Sequence, residues 1–297
     1  MSVLLLKLGG ELLETAESRA RVASFAASVA AERPLVIVHG GGRAIDVELS
    51  RRGIASKKVD GLRITDADTL DAVIAVLAGS ANTDLVAALV AAGVPAVGLT
   101  GVDAGFGRAR RTPGYRSTSG AIIDLGLVGD PAEVDASLIE LLLAHRYVPV
   151  IASLGFDATA VPGVPGVPDV PGVPGVPGVP GVPGASPVLN VNADVIACRV
   201  AAALAGSDLV IAGATAGVLD ADGRPIRTLD TDEIDRLIDT GAATAGMVAK
   251  LTACKAALEA GVASVRIIDG RRLGDKHGID DAPGTTVTKD QALGVRH

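Results

Sequence analysis

Two apolar runs that end in glycine carry the first chemistry in this sequence. Residues 36–42 read Val-Ile-Val-His-Gly-Gly-Gly and lead into an amphipathic run at 43–52. Residues 4–10 read Leu-Leu-Leu-Lys-Leu-Gly-Gly, a second such run with one lysine inside it. A glycine turn between a strand and a helix leaves backbone N–H groups at the positive end of the helix, where phosphate or carboxylate binds well. Three glycines also serve a plain tight turn, so Gly40 to Gly42 alone fit either role. The second run shifts the balance, because a lysine within a buried strand is costly unless its ammonium reaches an anion at the strand's end. Lys7 is therefore the first candidate functional residue.

Such residues need strands that all end on one side, and the chain supplies them by alternation. Strand-like runs at 4–8, 35–38, 94–99 and 147–152 alternate with helical ones at 16–32, 44–52, 68–92 and 135–145. Asp66 or Asp68 is suited to cap the long helix at 68–92. Residues 59–66 read as a polar connection, and the turn-rich, basic stretch 101–129 as a β-hairpin excursion overhanging a site. The rhythm resumes with Val-Leu-Asn-Val-Asn-Ala-Asp at 188–194 and an Ala-rich helix to 205. A strand at 209–212, helices at 232–239 and 244–260, a strand at 265–268 and a closing turn and strand at 283–287 complete it. This order points to an α/β fold with a mostly parallel sheet covered on both faces.

Composition bounds the function. The 297 residues are 48% hydrophobic, enough for a sizeable core, but only 2% aromatic with no Trp, so packing rests on Ala, Val, Leu and Ile. A net charge of −7 and a pI near 5.1 argue against a nucleic-acid-binding face, since Lys57-Lys58 and Arg110-Arg111 are too short to make one. Cys198 and Cys254 lie in Ala-rich helical stretches and read as inert buried thiols in a reduced compartment. His39, His145, His277 and His297 have no ligand-like spacing, so no metal site is expected. The first strand begins almost at once, without a basic leader or cleavage site, which gives the expectation of a cytoplasmic protein that does not span a membrane.

Residues 161–184 are eight Val-Pro-X triplets, with Gly third in all but the one ending at Asp169. Proline at every third position excludes helix interior and central strand. A collagen strand has the same period but needs three chains and an unbroken glycine register, which Asp169 interrupts. The segment reads as a disordered, elastin-like loop insertion, with self-association left open.

Five motifs in order make the sequence specific: Lys-Leu-Gly-Gly at 7–10, Val-His-Gly-Gly-Gly at 38–42, Gly-Leu-Arg-Ile-Thr at 61–65, Asn-Val-Asn-Ala-Asp at 190–194 and Gly-Met-x-x-Lys at 246–250. Together they resemble the N-acetylglutamate kinases, within the amino-acid kinase family, over the whole chain except the repeat. The resemblance implies a three-layer αβα open sandwich. An acyl-substrate lobe would span 1–187, the repeat included, and a nucleotide lobe 188–297, within one amino-acid kinase domain. It implies phosphoryl transfer from MgATP to the side-chain carboxylate of N-acetyl-L-glutamate, giving N-acetyl-L-glutamyl 5-phosphate in arginine biosynthesis. Magnesium would be held chiefly by the ATP phosphates. A carboxylate is already ionised at neutral pH, so this chemistry needs positioning and charge neutralisation rather than a general base.

By the same resemblance Lys7 and Lys250 stabilise the transferring phosphoryl group, and Asp194 orients both ammoniums. Gly9, Gly10 and Gly41 offer N–H groups to phosphoryl oxygens. Arg63, Asn190, Gly41 and Gly42 hold the acetylated amino acid, a role that suits the planar fork of arginine. Thr215, Ala216, Gly217, Val218, Leu219, Ala242, Ala243 and Thr244 match nucleotide-contacting positions. Outside this context Lys250 reads as a surface lysine, Asp194 as a helix cap, and Arg63 as a partner for Asp60 or Asp66. One departure is Gly213-Ala214, where the family usually carries Ser or Thr followed by Asp, so Ala214 alters the nucleotide edge.

Arginine-inhibited members resemble this chain but carry a helix ahead of the first strand. With Lys7 so near the first residue, the expectation is an arginine-insensitive homodimer. A related kinase acting on aminoadipate or glutamate attached to a small acidic carrier protein is kept open by the basic run 108–116. A non-catalytic amino-acid-binding protein is kept open by Ala214 and the repeat. Because loop-closure entropy grows only logarithmically with length, the repeat should cost about 1 kcal/mol in folding. Excision of residues 161–184 is expected to leave turnover within a few-fold of the intact chain; a large loss in a steady-state assay refutes the loop reading.

Overall fold

The computed structural model describes residues 2–112, 114–117, 119–157, 159, 186–220, 222–243, 245–274 and 283–289. The repeat at 161–184, His277, His297 and Thr244 lie outside them. In chain order the first elements are β1 (Leu4–Leu8), α1 (Ala16–Glu32), β2 (Leu35–His39), α2 (Gly42–Arg51), β3 (Lys58–Val59), β4 (Leu62–Arg63), α3 (Ala67–Ile74), α4 (Asn82–Ala91) and β5 (Ala96–Thr100). There follow β6 (Gly107–Arg111), β7 (Tyr115–Arg116), β8 (Ile122–Ile123), β9 (Val128–Val134), α5 (Ser137–Ala144), β10 (Val148–Ala152) and β11 (Leu154–Phe156). The last are β12 (Val188–Val191), α6 (Ala193–Ala203), β13 (Asp208–Gly213), β14 (Thr228–Leu229), α7 (Thr231–Asp239), α8 (Ala245–Glu259), β15 (Ser264–Asp269) and β16 (Gly284–Val287).

Eight strands form one sheet in the order β14-β16-β15-β13-β1-β2-β10-β5. Only β15–β16 is antiparallel within it. Side chains alternate across each strand, so the two faces bury different sets. Leu5, Val36, Val38, Leu209, Ile211 and Ile267 pack against α5, α6 and α8. Leu4, Leu6, Leu35, Ile37 and Val210 pack against α1 and α4. The result is the expected three-layer αβα sandwich. Each fully buried leucine in it contributes about 2 kcal/mol by removal of apolar area from water.

Three local features differ from the sequence reading. First, the stretch 101–129 is more than a hairpin: β6 and β9 do pair antiparallel around the smaller β7–β8 hairpin, but they also close with β11 and β12 into a four-stranded barrel. The two barrel strands that flank the repeat are short, which hides their pairing from a period-2 reading. Second, the helix expected at 68–92 is broken. Asp66 caps it by accepting from the Thr69 N–H at 2.9 Å, and a π-helical segment, Ala75–Ala81, separates α3 from α4. Within that segment Gly79 leaves helical geometry at φ −92°, ψ −105°. Residues 67–91 are long and apolar enough to cross a membrane, yet Leu85 and Leu89 of this stretch are fully buried in the core beside the sheet. Third, the polar connection at 59–66 contains the β3–β4 hairpin, turned by Asp60 and Gly61, both with positive φ. Two successive positive φ values make the primed two-residue turn that Asp-Gly favours.

Candidate active site

β1 lies at the centre of the sheet, with β2 on one side and β13 on the other. The chain winds outward from β1 in one direction and returns to its other flank through β13. In such sheets the crevice at the carboxyl ends of these strands is where ligands bind. Gly9 and Gly10 follow β1 there, Gly40 to Gly42 follow β2, and Ala214 follows β13. The two glycine turns touch. A Cβ on Gly10 would stand 2.9 Å from the Gly41 Cα and 3.1 Å from the Gly42 N, so only glycine permits this approach. Helix α2 begins at Gly42, two residues before its expected start, with Gly41 at the cap and no side-chain bond to the helix end. Its first N–H groups therefore have no intrahelical acceptor.

Lys7 emerges from this buried strand with its side chain 9% exposed, and its Nζ lies 2.7 Å from Asp194 Oδ1. Lys250 Nζ approaches the same carboxylate from α8, 3.2 Å from Oδ2 and 3.3 Å from Oδ1. One carboxylate thus holds two ammoniums. Burial pushes the Asp194 carboxyl up, but the two lysines, Lys7 first, more than reverse this and hold it at about 2. Asp194 does not cap α6. That role falls to Asn192, whose side-chain oxygen accepts from the Asp194 N–H at 2.8 Å and the Val195 N–H at 3.2 Å. The cap fixes the first turn of α6 and leaves Asp194 free for the lysines. Lys250 is accordingly not a surface lysine.

A cleft beside this triad is lined by Gly41, Gly42, Lys58, Arg63, Asn190 and Asn192 among others. The structure thus brings together Arg63, Asn190 and the glycines predicted with them. Arg63 is buried and does not pair with Asp60 or Asp66. It donates to Asp46 Oδ1 at 2.7 Å, to the Ser56 hydroxyl at 2.6 Å and to the Gly42 carbonyl at 3.0 Å. Lys58 donates to the other Asp46 oxygen at 2.7 Å. Burial raises the Asp46 carboxyl, and the bonds from Arg63, Lys58 and Ser56 bring it down to about 2. Asn190 donates to Thr65 Oγ1 at 3.1 Å. Sequence reasoning missed both Asp46 and Asn192. Asn two positions before an acidic helical residue is a readable cap signal, whereas Asp46, 17 residues from Arg63, has none.

His39 is fully buried, and burial lowers its imidazole to about 4 against the opposing effect of its bond to the Gly40 carbonyl. It is held neutral at physiological pH. Residues 214–219 leave the carboxyl end of β13, where the Val218 N–H donates to Thr285 Oγ1 at 2.8 Å and Leu219 bridges to Pro225. Ala242 and Ala243 precede α8, with the Ala243 N–H donating to the Leu237 carbonyl at 3.2 Å. No side-chain acid replaces the one missing at Ala214 on this strand, but the Glu11 carboxylate reaches across from β1's end, 3.5 Å from where a Cβ on Gly213 would stand.

The depressed Asp194 pKa has a sign that can be measured. Asp194→Asn leaves two ammoniums facing each other without a counter-charge and is expected to lose roughly 3 kcal/mol of stability at neutral pH. With a folded-state pKa below the unfolded value of about 3.9, the stabilisation is complete above that value and is lost as pH falls toward 2. Urea unfolding of both proteins across this range should show their difference narrowing; a gap independent of pH overturns the assignment.

Comparison with known proteins identifies the family. The Amino acid kinase family pattern matches residues 2–269. An acetylglutamate kinase from Koribacter versatilis is 37% identical over 266 residues, 89% of this chain and 89% of that protein. The crystal structure of smu.665 from Streptococcus mutans UA159 superimposes with a TM-score of 0.71 at 27% identity, covering 97% of this chain and 99% of the other. N-acetylglutamate synthase from Neisseria gonorrhoeae, complexed with coenzyme A and N-acetyl-glutamate, shares the fold at a TM-score of 0.76 and 22% identity. That match covers 98% of this chain and 60% of that longer one. The family pattern, the relative and the crevice at the strand ends lead to one conclusion: this chain belongs to the amino acid kinase family.

Proposed function

We propose that the chain is an acetylglutamate kinase, transferring the γ-phosphoryl group of MgATP to the side-chain carboxylate of N-acetyl-L-glutamate in arginine biosynthesis. The observation that carries this is the Lys7–Asp194–Lys250 triad beside a cleft holding Arg63 and Asn190. Two anions must approach in line, and their repulsion is the main obstacle. Lys7 and Lys250 neutralise the charge that spreads over the transferring phosphoryl oxygens, while Asp194 keeps both ammoniums aimed at one point. The N–H groups of Gly10 and Gly41 supply further donors in fixed positions, whereas the Gly9 N–H, expected among them, donates to the Ala212 carbonyl at 2.8 Å as β13 pairs with β1. Arg63 and Asn190, with Gly41 and Gly42, hold the acyl substrate by its other carboxylate. The substrate's side-chain carboxylate attacks as it is, without a base.

Under this reading residues 1–187 supply the acyl lobe and 188–297 the nucleotide lobe, with 214–219 and 242–244 against the nucleotide. Among the described residues no group of three or more His, Cys, Asp or Glu side chains could hold a metal, and both Asp194 oxygens are engaged by lysines. In this reading magnesium is held chiefly by the ATP phosphates. The basic run at 108–116, the feature that would suit an acidic carrier, is partly neutralised: Arg108 faces Glu133 at 3.5 Å and Arg111 faces Asp124 at 2.9 Å. This favours the free acetylated amino acid. The cytoplasm, with its ATP and its reducing thiol pool, is the compartment assigned to it.

For the homodimer, this reading takes the α4–β5 edge as the interface. β5 ends the sheet, and in the apolar helix beside it Ala87 and Val90 are exposed, Val90 at 55%. An apolar edge of this kind calls for a cover, and a second copy can continue the sheet or pack helix on helix.

Hydroxylamine trapping of acyl phosphate should give hydroxamate with ATP and N-acetylglutamate, and much less with glutamate, aspartate or aminoadipate; no hydroxamate with any of them refutes the kinase reading. Lys7→Ala should lower kcat by about a hundredfold or more with little change in KM, whereas Arg63→Lys should act mainly on KM. In light scattering the protein should run as a dimer and Val90→Glu as a monomer; a dimer unaffected by that change moves the interface elsewhere.

A further inference from the structure

Arg63 of β4 lies directly opposite Lys58 of β3, and two cations facing each other across a hairpin repel. Asp46, one turn into α2, stands between them. Its Oδ1 accepts from Arg63 Nη1 and its Oδ2 from Lys58 Nζ, both at 2.7 Å. Ser56 closes the arrangement, because its hydroxyl donates to Asp46 Oδ1 at 2.7 Å and accepts from Arg63 Nη1 at 2.6 Å. One turn earlier on the same helix, and so on the same face, the Gly42 carbonyl accepts from Arg63 Nη2 at 3.0 Å. A guanidinium has five N–H donors. Among the described residues these bonds engage Nη1 and one side of Nη2, and they leave the Nε–H with the second Nη2–H. Those two donors form one edge of the planar fork, the kind of edge that takes a carboxylate in a bidentate manner. Arg63 borders the cleft, whereas neither Asp46 nor Ser56 lines it. Whatever Asp46 does for a ligand there, it does through the arginine.

We propose that Asp46 is a positioning residue for substrate capture: by holding Nη1, together with Ser56, it leaves the Nε–Nη2 edge of Arg63 as the face presented to a carboxylate, and so sets affinity without touching the ligand. The identity of that ligand, the acyl substrate, rests on the kinase reading. Two effects of Asp46 oppose each other. Its negative charge weakens the pull of Arg63 on an anion, so removing the charge alone tightens binding. Its oxygen fixes the guanidinium, so removing the hold obliges each incoming ligand to order the side chain anew. The Asp46 side chain is 34% exposed, which screens the first effect, while the Arg63 side chain is 6% exposed and can keep one geometry only if its neighbours hold it. Positioning therefore outweighs charge.

Alanine suits a helix, so Asp46→Ala leaves α2 intact. In steady-state assays of the full chain this variant should raise KM for N-acetylglutamate about tenfold or more, with kcat and the KM for ATP within about twofold of wild type. Asp46→Asn keeps the oxygen that Arg63 and Ser56 use, and should bring KM back to within about threefold of wild type. In an Arg63→Lys background Asp46→Ala should add little, since the fork it serves is already gone. A KM that falls, a loss that asparagine does not restore, or costs that simply add across the double variant overturn the proposal. So does a joint shift of kcat, both KM values and the melting temperature, which marks a merely structural role. Independently of turnover, magnetic resonance of isotopically labelled arginine, with the signal assigned by Arg63→Lys, should show two separate Nη signals for Arg63 in the wild type and in Asp46→Asn. In Asp46→Ala they should merge, because nothing then stops the rotation of Nη1. Signals already merged in the wild type, or unchanged in Asp46→Ala, overturn the proposal whether or not N-acetylglutamate is phosphorylated. Absence of hydroxamate with the wild type refutes the kinase reading alone, so the two failures are told apart.

Discussion

A lysine in the central strand of a buried sheet is the constraint on which the rest depends. Lys7 is flanked by Val38 of β2 and Ile211 of β13, and its ammonium must find a counter-charge at the strand's end or cost several kcal/mol. Asp194 supplies it, and that requirement fixes where α6 must begin. Asn192 caps the helix in place of Asp194, so the carboxylate can lean toward β1 without leaving the helix end unsatisfied. Once Asp194 is fixed, the second lysine on α8 is stabilised by the same charge. Two like charges are thereby held near each other by one carboxylate, an arrangement that under the proposed reading a phosphoryl group would complete.

The glycines act as a complementary constraint on the backbone. Gly10 and Gly41 come close enough to exclude any side chain between them, so the two turns that follow β1 and β2 form one surface. Their joint position at the carboxyl ends of neighbouring parallel strands is a consequence of sheet topology, not of the glycines themselves. Glycine only makes the approach possible. Strand order brings a lysine, a helix start and the Asp194 carboxylate of α6 to the same edge.

Much of this was legible in the sequence, for identifiable reasons. Strands buried on both faces read as continuous apolar runs, and Lys7, Arg63, Asn190 and Lys250 sat in short motifs whose order along the chain made them specific. A mostly parallel sheet covered on both faces followed from alternation, and the three-layer sandwich from the resemblance to a family. What did not show were features made by pairing at a distance. The β6–β9–β12–β11 barrel joins segments on both sides of the repeat, and its strands β11 and β12 are too short to announce a period. The break at Gly79 was hidden because an isolated glycine in an apolar helical pattern is usually tolerated. Asp46 was missed because nothing in its local sequence reveals that Arg63 folds back onto α2.

Asp46 changes how the substrate cleft is understood. An arginine already satisfied by a carboxylate, a hydroxyl and a carbonyl gains less from a new anion than a free one would. What it offers is orientation: a buried guanidinium held from several directions presents its remaining edge in one geometry, and little side-chain entropy is lost when the ligand arrives. Asp46 also spreads its charge over Lys58, whose ammonium borders the same cleft. The local balance is therefore two cations to one carboxylate, as it is in the Lys7–Asp194–Lys250 triad. Each half of the site carries one unneutralised positive charge, and under the proposed kinase reading the two suit the two anionic ends that a phosphorylated dicarboxylate presents.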